Sequence, residues 1–216
     1  VTLFDEEFET AEPSGAPPLR VRMTVAYDGA QFHGFAAQPE VPTVAGKLLL
    51  AIERSLRVKD VDLVCAGRTD AGVHADGQVI HFDLSSPRPP EVVRDAVNHR
   101  LPDDVRLLEV TEAAPDFHAR HDAAWKDYVY RWSRAEVIDP RESPFVVPLS
   151  AGATLARMRD AAAHLPGTRD FGIFAVRLAP DTSAVLLLTG NNTSEKFDEV
   201  SAGVYEPAAD NNTQAS

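Results

Sequence analysis

The sequence predicts an α+β protein: an antiparallel sheet with helices on one face, its N-terminal half in the ferredoxin-like, split βαβ order. Three observations predict it. Val21, Met23, Val25 and Tyr27 alternate with more polar neighbours, as in a strand with one apolar face. Ala45, Leu48, Leu49, Ile52 and Leu56 fall at helical spacing behind Thr43, a residue suited to cap a helix. Two strand-like runs, 61–66 and 77–83, are separated only by a glycine-punctuated loop, and a second helix and strand follow.

Element by element, 21–27 is a strand. Asp28-Gly29 opens a loop that runs through Gln31-Phe32-His33-Gly34-Phe35 to Gln38-Pro39. Its two aromatics suit either a ligand or a plug into the core. The helix over 43–57 carries Gly46 where a capping-box glutamate would stand, so its cap is half of that motif. After the strands at 61–66 and 77–83, the proline-rich turn 86–90 leads into a helix with Val92, Val93, Ala96 and Val97 on its buried side. Leu101-Pro102 ends that helix, and 105–110 is a strand. The order is therefore β-α-β-β-α-β, which leaves one sheet face free for a ligand. A strand at 125–133 puts Lys126, Tyr128, Tyr130 and Trp132 on one side, a pattern suited to stacking on a base and meeting a phosphate. The bland alternative is an aromatic core face with Lys126 at its edge. A helix over 153–165 and a strand containing Phe171, Ile173, Phe174 and Val176 complete the regular pattern.

Composition narrows the function. The chain has 216 residues, 44% of them hydrophobic, enough to fill a core. One cysteine excludes an internal disulfide, and no apolar run approaches the roughly 18 residues of a membrane helix. The acidic, proline-bearing start lacks the pattern of a signal peptide, so a soluble, cytoplasmic protein is expected. A net charge of −12 argues against indiscriminate nucleic-acid binding. That charge is concentrated at the ends, however. Residues 1–20 hold five acids and one base, residues 181–216 six and one, which leaves only −3 for the middle. A local basic groove fits that distribution.

Chemistry concentrates at Gly67-Arg68-Thr69-Asp70-Ala71-Gly72-Val73-His74-Ala75. Two glycines bracket one cation and one carboxylate on a loop held between strands, a common way to present reactive groups. Three readings compete. Asp70 is a nucleophile or general base oriented by Arg68 and helped by an aromatic from 126–132. Alternatively Asp70, His74 and His81 hold a metal, although no tight helical ligand pair supports this, and His81 reads as a solvated strand residue. Or the chain is a binding module using the free sheet face. A tight hairpin in which Arg68 and Asp70 only pair with each other is the structural alternative.

The loop motif, continued by Gly77-Gln78-Val79, closely resembles the active-site motif of the TruA family of tRNA pseudouridine synthases. The resemblance extends to Tyr27-Asp28-Gly29, to Phe32-His33-Gly34-Phe35 and to Gln38-Pro39, with Phe35 where tryptophan is more usual. It also takes in Thr43-Val44, Asn98, Leu101-Pro102, Asp104-Val105, Phe117-His118-Ala119-Arg120, Lys126 with Tyr128 and Tyr130, and Gly167 with Asp170-Phe171 and Phe174. The family's Met-Val-Arg run is not found in the second half, and the part after about 178 reads as diverged or truncated.

The resemblance implies a pseudouridine synthase fold and an isomerase that converts uridine to pseudouridine in the anticodon arm of tRNA. It implies Asp70 as catalytic nucleophile and substrate-binding roles for Arg68, Thr69, His74, Lys126 and Tyr128. It implies no cofactor and no metal, tRNA as partner, no membrane, and a homodimer. Composition and the resemblance together give the expected organisation: a flexible acidic tail over 1–20, an N-terminal subdomain with the catalytic loop over 21–111, a partial second catalytic subdomain over 112–189, and a polar acidic tail over 190–216. A catalytically silent tRNA-binding protein of the same descent is the alternative.

Overall fold

Nine residues with apolar side chains on alternate positions make β1, Leu19–Tyr27, and the burial follows the alternation: Val21, Met23, Val25 and Tyr27 are inside. This computed structural model describes residues 18–85, 88–170, 185–191 and 198–205. The expected tail at 1–17, the strand around 171–176 and residues 206–216 lie outside the described residues. The chain divides into two compact units, residues 1–122 and 123–216.

In the first unit the helix α1, Val44–Leu56, begins where Thr43 accepts a hydrogen bond from the Gly46 amide (3.2 Å), and Arg57 closes it in a left-handed conformation. The strand expected over 61–66 is shorter: β2 is Val64–Cys65, with the Ala66 amide donating one further bond to Val79 O (2.8 Å). Next come β3, Ala75–Leu84, the helix α2, Pro90–Asn98, and β4, Val105–Glu112. The strands form one antiparallel sheet in the order β2-β3-β1-β4. The fold is thus mixed α/β, with an antiparallel sheet and few helices.

One hydrophobic cluster fills this unit. It joins Val21, Met23 and Val25 of β1 and Ile80, Phe82 and Leu84 of β3 to Leu48, Ile52 and Leu56 of α1 and Val93 and Val97 of α2. Each such fully buried side chain contributes about 1.5–3 kcal/mol. Val92, expected on the buried side of α2, is 47% exposed, because the helix meets the sheet along the i, i+4 line of Val93 and Val97 alone. Asn98 ends α2 and takes both backbone groups of Leu107, donating to its carbonyl (2.9 Å) and accepting from its amide (2.8 Å).

The opposite sheet face is not wholly free. Residues 113–119 fold across it: the Ala113 amide donates to Arg20 O (2.9 Å), and Arg20 pairs with Asp83 through two bonds while donating to Phe117 O (2.9 Å). This pairing raises the Arg20 pKa and lowers that of Asp83. His81, read from alternation as solvated, is only 4% exposed, and its Nδ1 accepts from the Ala119 amide (3.1 Å). Burial depresses its pKa, assisted by Arg20 and His118, against opposing pulls from Asp83 and Asp62. An unfolded chain therefore takes up this proton at higher pH than the folded one, so stability is lost as pH falls below the ordinary value of 6.5. Thermal melts from pH 8 to pH 5 are expected to show that decline. His81→Asn, which keeps an acceptor for Ala119 but cannot titrate, should flatten it.

The second unit holds a five-stranded sheet. Its strands are β5, Lys126–Ser133; β6, Val147–Pro148; β7, Gly167–Asp170; β8, Val185–Asn191; and β9, Asp198–Tyr205. Their order is β6-β5-β9-β8-β7, parallel between β5 and β6 and antiparallel elsewhere. β9 lies where composition pointed to a polar tail. The period-two placement of Val200, Ala202 and Val204 is the signal that its acidic neighbours obscured. The helix α3, Leu155–Ala163, is capped by Thr154, which accepts from the Arg157 amide. Among the described residues no helix is long and apolar enough to cross a membrane.

Candidate active site

The loop between β2 and β3 is shaped by its backbone. Val73 donates its amide to Asp70 O (3.2 Å), closing a four-residue turn, and Gly72 stands in it at φ +78°. That sign of φ at the third position is the geometry of a type II turn, which favours glycine. Asp70 is the first residue of the turn. Its side chain is exposed, as is that of Arg68. Among the described residues no ion pair joins the two, so the hairpin-pair alternative fails.

The fixing contacts come from elsewhere. At the loop's start, the Gln78 side chain takes both backbone groups of Gly67: its Nε2 donates to the carbonyl and its Oε1 accepts from the amide (3.4 Å). Past Ala66, this amide group stands in for the next rung of the β2–β3 ladder. In the middle, the Tyr27 hydroxyl bonds Thr69 Oγ1 (2.8 Å), and the Phe35 amide donates to Thr69 O (3.0 Å). At its end, the Gly72 amide donates to Phe32 O (3.2 Å), and His74 Nδ1 lies 3.1 Å from the Gly29 amide and 3.0 Å from Asp28 Oδ1. That nitrogen accepts from the first or donates to the second, according to its tautomer.

The aromatic loop is therefore a clasp for its neighbour. Phe32 and Phe35 are buried, so of the two readings the plug into the core is the one realised. Two glycines allow the close approach. A Cβ on Gly29 would lie 1.9 Å from Val73 O, and one on Gly34, whose φ is +91°, would lie 2.8 Å from Thr69 O.

The residues singled out from sequence fall in two groups. Arg68, Thr69, Asp70 and His74 share this one loop, with Thr69 and His74 half-buried and bonded to the clasp. Lys126 and Tyr128 stand on β5 of the second unit, where Tyr128 is 38% exposed and Tyr130 stacks on Trp132 (ring centroids 6.0 Å apart). None of that strand's eight residues is buried and four are exposed, so it is not the aromatic core face of the bland alternative. His81 faces Ala119 rather than the loop, and among the described residues no set of three His, Cys, Asp or Glu side chains gathers to hold a metal.

Sequence reasoning did not assign the positioning roles of Tyr27, Gly29 and Gln78, although all three stand in the quoted motifs. An amide side chain near the start of the strand that follows the loop was the available signal for Gln78. Gln78→Leu is expected to leave both Gly67 groups without partners and to cost about 1–3 kcal/mol in urea unfolding. Gln78→Glu, which keeps the acceptor and loses the donor, should fall between.

The loop thus presents two exposed charged residues, Arg68 and Asp70, next to an antiparallel sheet, with Asp70 opening a backbone-closed turn. The sequence model of the tRNA pseudouridine synthase family matches residues 23–122, which take in the loop and all of this sheet except the first four residues of β1. The chain belongs to that family. It is 43% identical over 162 residues to a protein of Solibacter usitatus named tRNA pseudouridine synthase A, covering 75% of this chain and 67% of the relative. Proteins of the same name from Nitratidesulfovibrio vulgaris (42% over 175 residues, 77% of this chain, 57% of the relative) and Brevibacillus brevis (36% over 181 residues, 84% and 74%) are similar to it. The chain thus spans between 57% and 74% of these relatives' lengths.

Proposed function

We propose that the chain isomerises uridine to pseudouridine in tRNA, in the anticodon arm, with Asp70 as the nucleophile. The observation that carries this is the outward carboxylate of Asp70 on a turn clasped from Tyr27, Phe32, Phe35 and Gln78, in a family named for this reaction.

The target base leaves its stack, at a cost of a few kcal/mol. Arg68 helps to extrude it, and Tyr128 stacks on it in place of its neighbours, with Lys126 and His74 close to the bound nucleotide. The Asp70 carboxylate attacks the nucleotide, and the bond from the sugar to N1 breaks. The uracil turns, a bond forms from the same sugar carbon to C5 as the Asp70 oxygen leaves the nucleotide, the C5 proton leaves to solvent, and N1 takes up a proton. The step is an isomerisation, so it needs no oxidant, reductant or organic cofactor. The antiparallel order β2-β3-β1-β4 with two helices supports reading the first unit as a ferredoxin-like, split βαβ subdomain. We place the protein in the cytoplasm, as a homodimer.

Release of tritium from tRNA labelled at uridine C5 tests the proposal. The intact chain is expected to release it. Binding of the tRNA without any release would assign the chain instead to silent tRNA binding.

A further inference from the structure

We infer that the groove between α1 and the end of α2 docks an RNA phosphate backbone, a contact separate from the loop of Asp70. The inference rests on the reading that the chain acts on tRNA. The groove encloses about 420 Å³ and is rimmed by Lys47 and Arg54 of α1 and by His99 and Arg100, with Leu50 and Leu101 in its floor and wall. No carboxylate lines it, in a chain whose net charge is −12.

The cations in it, like Arg57, Lys59, Arg68 and Arg120, are in no ion pair among the described residues, and what sets the groove apart is that they share one lining without a carboxylate. Arg20, Arg22, Arg94, Arg106 and Arg141 are each paired with a carboxylate. Lys47, Arg54 and Arg100 are exposed and, among the described residues, in no ion pair. Lys47 and Arg54 stand seven residues apart on one face of α1, about 10.5 Å along its axis, so they present a charged track rather than a point. Arginine pairs with phosphate oxygens through two parallel bonds, and lysine meets them as a point charge. A track of such groups fits a strand with repeated phosphates.

Position favours RNA over an acidic protein. The start of α1 is tied to the clasp loop, Val44 and Ala45 donating their amides to Gly34 O (3.2 Å) and Phe35 O (2.8 Å). The segment after Arg100 is tied to the same loop, through the Asp28 amide and Asp104 O (2.9 Å). The Lys47 and Arg100 end of the groove therefore lies at the same end of the sheet as the Asp70 turn, where a tRNA bound at that turn would lie, and Arg54 stands farther along α1.

Filter binding of a full-length tRNA transcript to the full chain, at several salt concentrations, tests this. The unaltered chain is compared with the triple variant Lys47→Ala, Arg54→Ala, Arg100→Ala and with the charge-keeping triple Lys47→Arg, Arg54→Lys, Arg100→Lys. All three positions are exposed, and equal melting temperatures will verify folding. The alanine triple is expected to bind about tenfold more weakly or worse. Its slope of log affinity against log salt should shrink by roughly 2 to 3, near one per lost phosphate contact. The loss should enter KM rather than kcat, and the charge-keeping triple should restore most of the affinity and the slope.

Unchanged affinity and slope in the alanine triple, with the transcript still bound and modified, would overturn the groove and leave the function standing. A weakened triple in a chain that binds tRNA but releases no C5 proton would do the reverse. Equal binding of tRNA, with polyglutamate captured by the parent and lost in the triple, would assign the groove to an acidic protein and overturn the inference.

Discussion

Asp70→Asn is expected to bind tRNA as the parent does and to form no pseudouridine, a loss of at least roughly 10³-fold in single-turnover proton release. The substitution is nearly isosteric, and asparagine is as acceptable as aspartate at the first position of such a turn. The bond that closes the turn uses the backbone carbonyl of residue 70, which the change leaves in place. Among the described residues the side chain makes no bond that the fold would lose, so unfolding free energy should move by less than about 0.5 kcal/mol. What disappears is the anionic oxygen proposed to attack the nucleotide. Residual turnover in this variant, with deamidation excluded by mass, would remove Asp70 from the role of nucleophile.

Gly29→Ala should be nearly as damaging through a different route. The added carbon would sit 1.9 Å from Val73 O and 2.4 Å from Val73 C, where real Cβ atoms essentially never come within 3.0 Å. The obstacle is backbone, so no rotamer relieves it. Either the Asp28–Phe32 segment or the Asp70–Val73 turn must move by about 1 Å, and the Gly29 bond to His74 stretches with it. Overpacking of this kind costs about 1–3 kcal/mol of stability. A displacement of that size at a reacting group costs roughly 10²-fold in rate. Denaturant unfolding and proton release on the same preparation should show both, and tRNA affinity should suffer less than turnover. A variant with parental stability and rate would mean that the two loops do not depend on their close approach.

Much of the first unit was legible because its signals are periodic. Alternation marked Val21 to Tyr27, helical spacing marked α1, and Thr43 marked its start. The candidate site stood out because Gly67 to His74 combines turn glycines with a cation and a carboxylate. Where reading failed, contacts distant in sequence decided the outcome. Alternation put His81 in solvent, but residues 113–119 return over that face and bury it. Val92 looked like a core residue until the docking line of α2 selected Val93 and Val97. β9 was hidden by its acidic residues, since composition over such a segment outweighs a weak period of two. No sequence pattern could show that Arg68 and Asp70 would not pair, because that depends on how the turn directs two flexible side chains.

Apart from the Val73–Asp70 bond that closes the turn, the contacts named above that hold the loop reach outside it: Tyr27 to Thr69, Phe32 to Gly72, Gly29 to His74, Gln78 to Gly67. None of them can form within the loop alone. The loop acquires its shape only when β1 and β3 have paired, so ordering the Asp70 turn and closing the sheet are a single cooperative event. A nascent or partly opened chain has no fragment of this site that could act on a base by itself, and the amides of the loop should be released to solvent together with those of the sheet.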